Sequence, residues 1–230
     1  MTLLLLIFLT SILLTSGSKP LESKANGVKV IYSKASKNTF YITIDDGYYL
    51  NYKARALIIK NKLPVTFFVT ASLFKFKKHH AYYQPLLNSL NTGNHTQTHP
   101  NLNKISSTRI NKEICTASRT IKKTYGITPL YFRTPYGLIN TKVKKEASKC
   151  GFESITLWNA SFYHNHLSTY GGPLKAGDII ILHTNKYLDT DLSSLLVKIK
   201  KLGLKPGYLN QWIWLLCFKS QCVRVVLLCS

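Results

Sequence analysis

Acidic residues are scarce in this chain: 9 Asp and Glu stand against 31 Lys and Arg over 230 residues, a formal net charge of +22. Any carboxylate beside another, or beside a histidine, is therefore conspicuous, and Asp45 and Asp46 are neighbours. Long apolar runs are also few. Residues 3–14 form one, broken only by Thr10 and Ser11, and the stretch at 212–228 is interrupted by Lys219 and Arg224. No segment reaches the ~18 uncharged apolar residues of a stable helical span. No cysteine pair has the C-x-x-C spacing of a zinc or redox site, and no nucleic-acid motif is recognisable. An internal repeat and a linker-like shift in composition are likewise missing, so one domain is expected. What remains is 45% hydrophobic, 17% charged and 12% aromatic, with 14 Tyr. That excludes a disordered or collagen-like chain.

The run at 3–14 has the length of a signal-peptide core, and Ser16-Gly17-Ser18 after it is a small-x-small cleavage site. No Lys or Arg precedes the run, which leaves only the amino terminus as positive charge. Residues 1–18 are expected to be a cleaved signal peptide, with an uncleaved anchor as the alternative. Either places the rest at the cell surface or beyond it. A single domain is expected over 19–210, and 211–230 is a tail without clean periodicity that carries Cys217, Cys222 and Cys229.

Export permits disulfides. An odd total of five cysteines leaves at least one unpaired, and Cys115 and Cys150 are expected to form a structural bridge, two buried free thiols being the alternative. The lysine clusters at Lys142, Lys144, Lys145 and Lys149, and at Lys198, Lys200, Lys201 and Lys205, fall on helix-like segments. Their plain reading is a solvated face, but the field they create favours polyanions. Export argues against nucleic acid as partner and for an anionic cell-wall polymer.

Short β-branched or aromatic runs alternate with helix-like segments. Strands are expected at 28–32, 39–44, 65–70, 130–132, 154–157 and 178–182, and helices at 52–60, 81–90, 107–125, 141–149 and 192–202. The alternation implies parallel strands with crossovers, an α/β class. The residues that follow the strands carry the chemistry: Asp45-Asp46-Gly47, Arg133-Thr134-Pro135-Tyr136 and His183, with His95 to His99 after a helix. Strand C-terminal ends form the functional face of such folds.

Each motif has a plain alternative. His95 and His99, four apart, suit two imidazoles on one side of a helical turn, the geometry a zinc-type ion needs. Thr96 stands where a zincin would have its glutamate base, so a base must come from elsewhere. Asp45-Asp46 is a repelling pair that a cation would relieve, or else a turn and helix cap. Arg133 could hold a carboxylate or lie on the surface, and His183 could be a satisfied core histidine.

The order T-I-D-D-G at 43–47, H-T-Q-T-H at 95–99, R-T-P-Y at 133–136 and I-L-H at 181–183 resembles the polysaccharide deacetylase (NodB-homology) family, carbohydrate esterase family 4. The resemblance covers residues 39–204. It implies a distorted (β/α) barrel and metal-dependent hydrolysis of N-acetyl groups on N-acetylglucosamine polymers, chitin oligomers or peptidoglycan. By position it makes Asp45 the general base, and Asp46, His95 and His99 the ligands of a divalent ion, zinc with cobalt or manganese as alternatives. It makes Arg133 the residue that orients Asp45, the Tyr136 amide part of an oxyanion hole, and His183 the general acid. Trp158, with Pro135, would wall the acetyl methyl group. The surroundings of Cys115 and Cys150 are similar to those of secreted bacterial members.

Three departures mark this chain. Asn159 follows Trp158 where the family commonly has an acidic residue nearby to keep the acid histidine protonated, Ile44 replaces the usual Phe, and Thr184 follows His183 where Asp is frequent. His164 and His166, in the loop after Trp158, are further candidates for contact with substrate or metal. The alternatives to the deacetylase are a catalytically silent glycan- or wall-binding homologue and an amidase acting on a non-sugar amide.

Overall fold

In the computed structural model residues 28–209 are described, so the signal-like run and the tail with its three cysteines lie outside the described residues. Two buried strands hold the centre. β9 (Ile179–His183) is apolar up to its last residue, and β2 (Thr39–Asp46) is buried along almost its whole length although it carries Thr39, Thr43, Asp45 and Asp46, as expected of parallel strands covered on both faces. They pair in parallel, with Ile42 opposite Ile180 and Asp45 opposite His183.

Eight further strands complete the sheet. They are β1 (Lys29–Ile31), β3 (Val65–Val69), β4 (Thr92–Asn94), β5 (Tyr131–Phe132), β6 (Ser154–Thr156), β7 (Ala160–Tyr163), β8 (His166–Thr169) and β10 (Lys205–Pro206). The order is β1-β6-β5-β4-β3-β2-β9-β7-β8, with β10 beside β2. Every pair is parallel except the β7–β8 hairpin. A bridge from Ser33 to Asp178 curls the β1 side towards the start of β9. The result is the distorted (β/α) barrel, with strand ends 46, 94, 132 and 183 on one rim.

Helices α1 (Tyr52–Lys60), α2 (Lys77–Tyr83), α3 (Ser107–Tyr125), α4 (Thr141–Lys149) and α5 (Leu188–Lys201) cross between strands. Side-chain oxygens open three of them: Asn51 accepts from the Ala54 amide, Ser106 from Arg109 and Asn140 from Val143. Capping of this kind satisfies N–H groups the first turn leaves unpaired. Cys115 in α3 is bonded to Cys150 at the end of α4, which ties the two helices together.

Alternation along β2 separates two environments. Phe40, Ile42 and Ile44 join the main cluster with Ile180, Leu182, Leu192, Leu195 and Ile199. Tyr41, one residue out of phase, packs instead with Phe68, Ile179 and Leu209, while Thr43 and Asp45 meet Arg133. A strand side chain points to the opposite face at each step. That two-residue period aims Asp45 inward and sets Asp46 apart from it.

Three expectations need correction. The helix expected at 81–90 is displaced to Lys77–Tyr83. Pro85 stops it, because a proline has no N–H to continue the helical ladder, although Gln84 before it is still helical, and Asn88 and Asn91 fold the following residues into a side-chain-pinned turn. The helix expected from 192 starts at Leu188, with Asp189 and Asp191 in its first turn, where carboxylates complement the helix dipole. The segment after Trp158, read as a loop, is the β7–β8 hairpin. Its turn is His164-Asn165 and not the Asn-Gly that signals a hairpin in sequence.

Candidate active site

Asp45 and Arg133 are both inside. Arg133 is fully buried and not on the surface, and its Nη1 donates to Asp45 Oδ1 at 2.7 Å and to Thr43 Oγ1 at 2.8 Å. Its Nε and Nη2 donate to the carbonyls of Thr156 and Leu157, and the guanidinium lies 4.0 Å from the Phe68 ring centre. Burial lowers the Arg133 pKa and the Asp45 charge opposes that drop. An arginine stays protonated in either case. Asp45 Oδ2 remains, 3.7 Å from His95 Nε2.

Asp46, His95 and His99 meet at the rim. Asp46 Oδ1 is 3.5 Å from His95 Nε2 and 3.2 Å from His99 Nε2, and one donor atom of each residue lies within 4.8 Å of the other two. Burial would raise the Asp46 carboxyl, but hydrogen bonds from His95 and His99 and the charges of His95 and His183 hold it well below the usual carboxylate range. Two imidazole nitrogens and one carboxylate oxygen suit a zinc-type ion and leave it an open position. His95 is oriented for this. Its Nδ1 is 2.9 Å from the Arg133 carbonyl, so Nδ1 carries a proton and Nε2 is the nitrogen that would give its lone pair to a bound ion. Among the described residues no other three His, Cys, Asp or Glu side chains have this spacing.

The expected helical turn for His95 and His99 is not what joins them. Both lie in a loop in which Thr96 and His99 have φ of 68° and 62°. Asn94 Oδ1 accepts the Thr96 amide, Thr96 Oγ1 accepts the His99 amide, and the buried Glu113 carboxylate accepts the Thr98 amide and hydroxyl, each bond within 3.0 Å. These side chains supply the partners that a helix would have found in its own backbone. Asp46 at 79° and Tyr136 at 62° share the left-handed conformation. Of the seven non-glycine residues there among the described residues, these four surround the site. Such conformations are disfavoured and persist where neighbours over-determine them.

The remaining expected residues take up the rim. His183 ends β9 with its side chain exposed, which removes the reading of a core histidine. Tyr136 presents its ring 4.9 Å from His99. Pro135, next to it in the chain, is buried. Trp158 lies 5.4 Å from the Arg133 guanidinium and lines a cavity of about 390 Å³ with Tyr32, Tyr136, Gly137, Leu157, Asn159 and Tyr170. Asn159 binds Asp178 Oδ1 and the Ile179 amide, so it fastens the start of β7 to β9. Thr184 Oγ1 accepts the Gly47 amide at 3.0 Å, which locks the Asp-Asp-Gly turn onto the end of β9. His164 and His166 belong to the β7–β8 hairpin and stand outside the ligand group.

Glu113, Asn94 and Thr96 were missed as parts of the site. The signal was present for Glu113: in a chain with nine acidic residues, each one is costly to bury and so informative when placed in an apolar helix stripe. Among the described residues, five carboxylates (Asp45, Glu113, Glu146, Asp178 and Asp191) are buried.

The polysaccharide deacetylase family profile matches residues 32–155. A peptidoglycan-N-acetylglucosamine deacetylase of Bacillus cereus is 28% identical over 182 residues, covering 73% of this chain and 82% of its own length. A family 4 carbohydrate esterase from Bacillus anthracis superposes with a TM-score of 0.64 at 23% identity, covering 77% of this chain and 84% of that one. A family 4 pseudoenzyme from the same organism superposes with a TM-score of 0.65 at 22% identity, covering 77% and 66%. Likeness at these identities establishes the shared fold.

Proposed function

This chain belongs to the polysaccharide deacetylase family, carbohydrate esterase family 4, and from that premise we propose that it is an exported, metal-dependent deacetylase. Its substrates are N-acetylglucosamine-containing glycans, chitin oligomers or peptidoglycan, and its product is acetate. One observation carries the reading: Asp45, held by Arg133, stands free of the Asp46–His95–His99 group yet within 3.7 Å of His95. A ligand set beside a separate carboxylate is what amide hydrolysis by an activated water requires.

Asp46, His95 and His99 would hold a divalent ion, zinc in first place given two imidazoles and a carboxylate. The chemistry such an ion supplies when bound is polarisation of the amide carbonyl and activation of water. Asp45 accepts the water proton, and Arg133 holds it aimed. The Tyr136 N–H, on a backbone fixed at positive φ, donates to the oxyanion of the tetrahedral intermediate. His183 delivers a proton to the departing sugar amine. Trp158 and Pro135 wall the acetyl methyl group away from water. Export rests on the signal-like residues 1–18, with the domain spanning 19–210. With a net charge of +22 and five carboxylates buried among the described residues, the surface is left strongly cationic. That favours an anionic wall polymer as the surroundings in which the enzyme works.

Acetate release from N-acetylchitooligosaccharides and from peptidoglycan, with and without a chelator, tests the proposal. Chelator-sensitive release is expected. Glycan binding without release identifies a silent homologue instead, and release only from non-sugar amides identifies an amidase.

A further inference from the structure

Exposed aromatic rings gather on the rim that carries the site. On one side of the ligand group, along β5 and β6, Tyr136 and Trp158 line the cavity already described. On the other side β7 runs parallel to β9, so its last residue, Tyr163, reaches the same rim as His183. The chain then turns over His164 and Asn165, with φ of 49° and 63°. Both signs are those of a tight hairpin turn, yet neither residue is glycine. Asp191, 2% exposed in the first turn of α5, accepts the His164 amide at 3.1 Å and the Asn165 amide at 2.8 Å.

This pinned turn presents a ring cluster. The His164 ring lies 4.5 Å from Tyr187 with a tilt of 36°, and Tyr163 meets Tyr187 edge-on at 6.2 Å. Lys186 Nζ sits 4.9 Å from the Tyr187 ring centre. Tyr163 is 58% exposed, and Tyr187 follows His183 by four residues. Scattered exposed aromatics need no explanation. Here a buried carboxylate is committed to a turn whose visible product is a fixed group of rings beside the reacting centre. A pyranose ring has apolar C–H faces and a hydroxyl edge, and it matches flat rings bordered by hydroxyl, imidazole and ammonium groups.

We propose that Tyr163, His164 and Tyr187 form a second sugar-binding subsite on the His183 side of the ligand group, so that an N-acetylated glycan chain lies across the site with rings packed on both sides. This rests on the deacetylase reading above and adds to it a preference for internal sugars of longer chains.

The test compares three-sugar and six-sugar N-acetylglucosamine oligomers with the full chain and its Tyr163→Ala and Tyr187→Ala variants. The ratio of kcat/KM on the six-sugar over the three-sugar substrate is expected to fall by about threefold to tenfold in each variant, the range that loss of one ring contact gives. Tyr187→Phe, which keeps the ring, should preserve the ratio. Calorimetric binding of the six-sugar oligomer reads the subsite separately and should weaken in step. A protein that binds through Tyr187 but releases no acetate overturns the deacetylase reading and keeps the subsite. An unchanged length ratio together with unchanged binding in both alanine variants overturns the subsite.

Discussion

Arg133 Nη1 lies 2.7 Å from Asp45 Oδ1, and the two side chains are 0% and 2% exposed. This ion pair joins the end of β5 to the end of β2 across the inside of the barrel. Thr43 and the carbonyls of Thr156 and Leu157 take the other guanidinium donors. A buried charge pair is tolerable only when its remaining hydrogen-bonding capacity is filled in this way. One Asp45 oxygen is therefore fixed, and the other faces His95.

Asp45→Asn should keep metal and lose activity. Asparagine still accepts a hydrogen bond from Arg133 but cannot take the water proton. Loss of a general base costs about 10²- to 10⁴-fold in rate. Metal analysis of the purified variant beside an acetate-release assay checks both halves.

Asp46→Ala and His99→Ala should purify with depleted metal, and excess metal should restore part of their activity. The distinction rests on direction: Asp46 faces the two imidazoles, whereas Asp45 faces the guanidinium. If Asp46→Ala stays loaded while Asp45→Asn comes out empty, the two roles are reversed.

Arg133→Met should destabilise the fold by about 3–5 kcal/mol, because it strands the Asp45 carboxylate without a partner. The denaturant midpoint reports this. Arg133→Lys should not rescue activity, since an ammonium cannot reach Asp45, Thr43 and two carbonyls from one planar fork.

Gly137→Ala should damage the acetyl pocket more than the fold. Gly137 has φ of 68°, and a Cβ there would stand 2.9 Å from the Trp158 ring. Strain at positive φ typically costs about 1–2 kcal/mol. The expected result is a raised KM and a changed Trp158 fluorescence environment, with only a modest drop in melting temperature.

Replacing both Cys115 and Cys150 by serine should lower stability by about 3–4 kcal/mol, the chain-entropy value for a loop of this size, and leave the rate unchanged at temperatures where the protein stays folded. The bridge joins α3 to α4, whereas the candidate catalytic and ligand residues stand on strand ends and the loops that follow them, and Glu113 of α3 keeps its own hydrogen bonds to the His95–His99 loop. A proportional loss of kcat in the folded variant argues for a direct role in the site.

The alternation of short apolar runs with amphipathic segments was enough to read an α/β chain, because each element's period of 2 or 3.6 is a local property. The motif residues could be named for the same reason, as each stands next to a strand or helix end in sequence. The β7–β8 hairpin was not legible: its turn is enforced by Asp191 from 26 residues further on.

Residue types and their order along the chain were thus set locally, and so was the list of candidate groups at strand ends. Tertiary structure decided which of those groups meet and how each is aimed. His95 and His99 converge through a loop held by Glu113, 15 residues away, and not through a helical period. Asp45 and Asp46 divide because the pleat sends Asp45 inward to an arginine 88 residues along the chain, while Asp46 leaves the strand at a φ of 79°. Asn159 turned out to fasten β7 to β9 through Asp178. Hydrogen bonds between distant residues have no period to betray them, so only the folded sheet could reveal them.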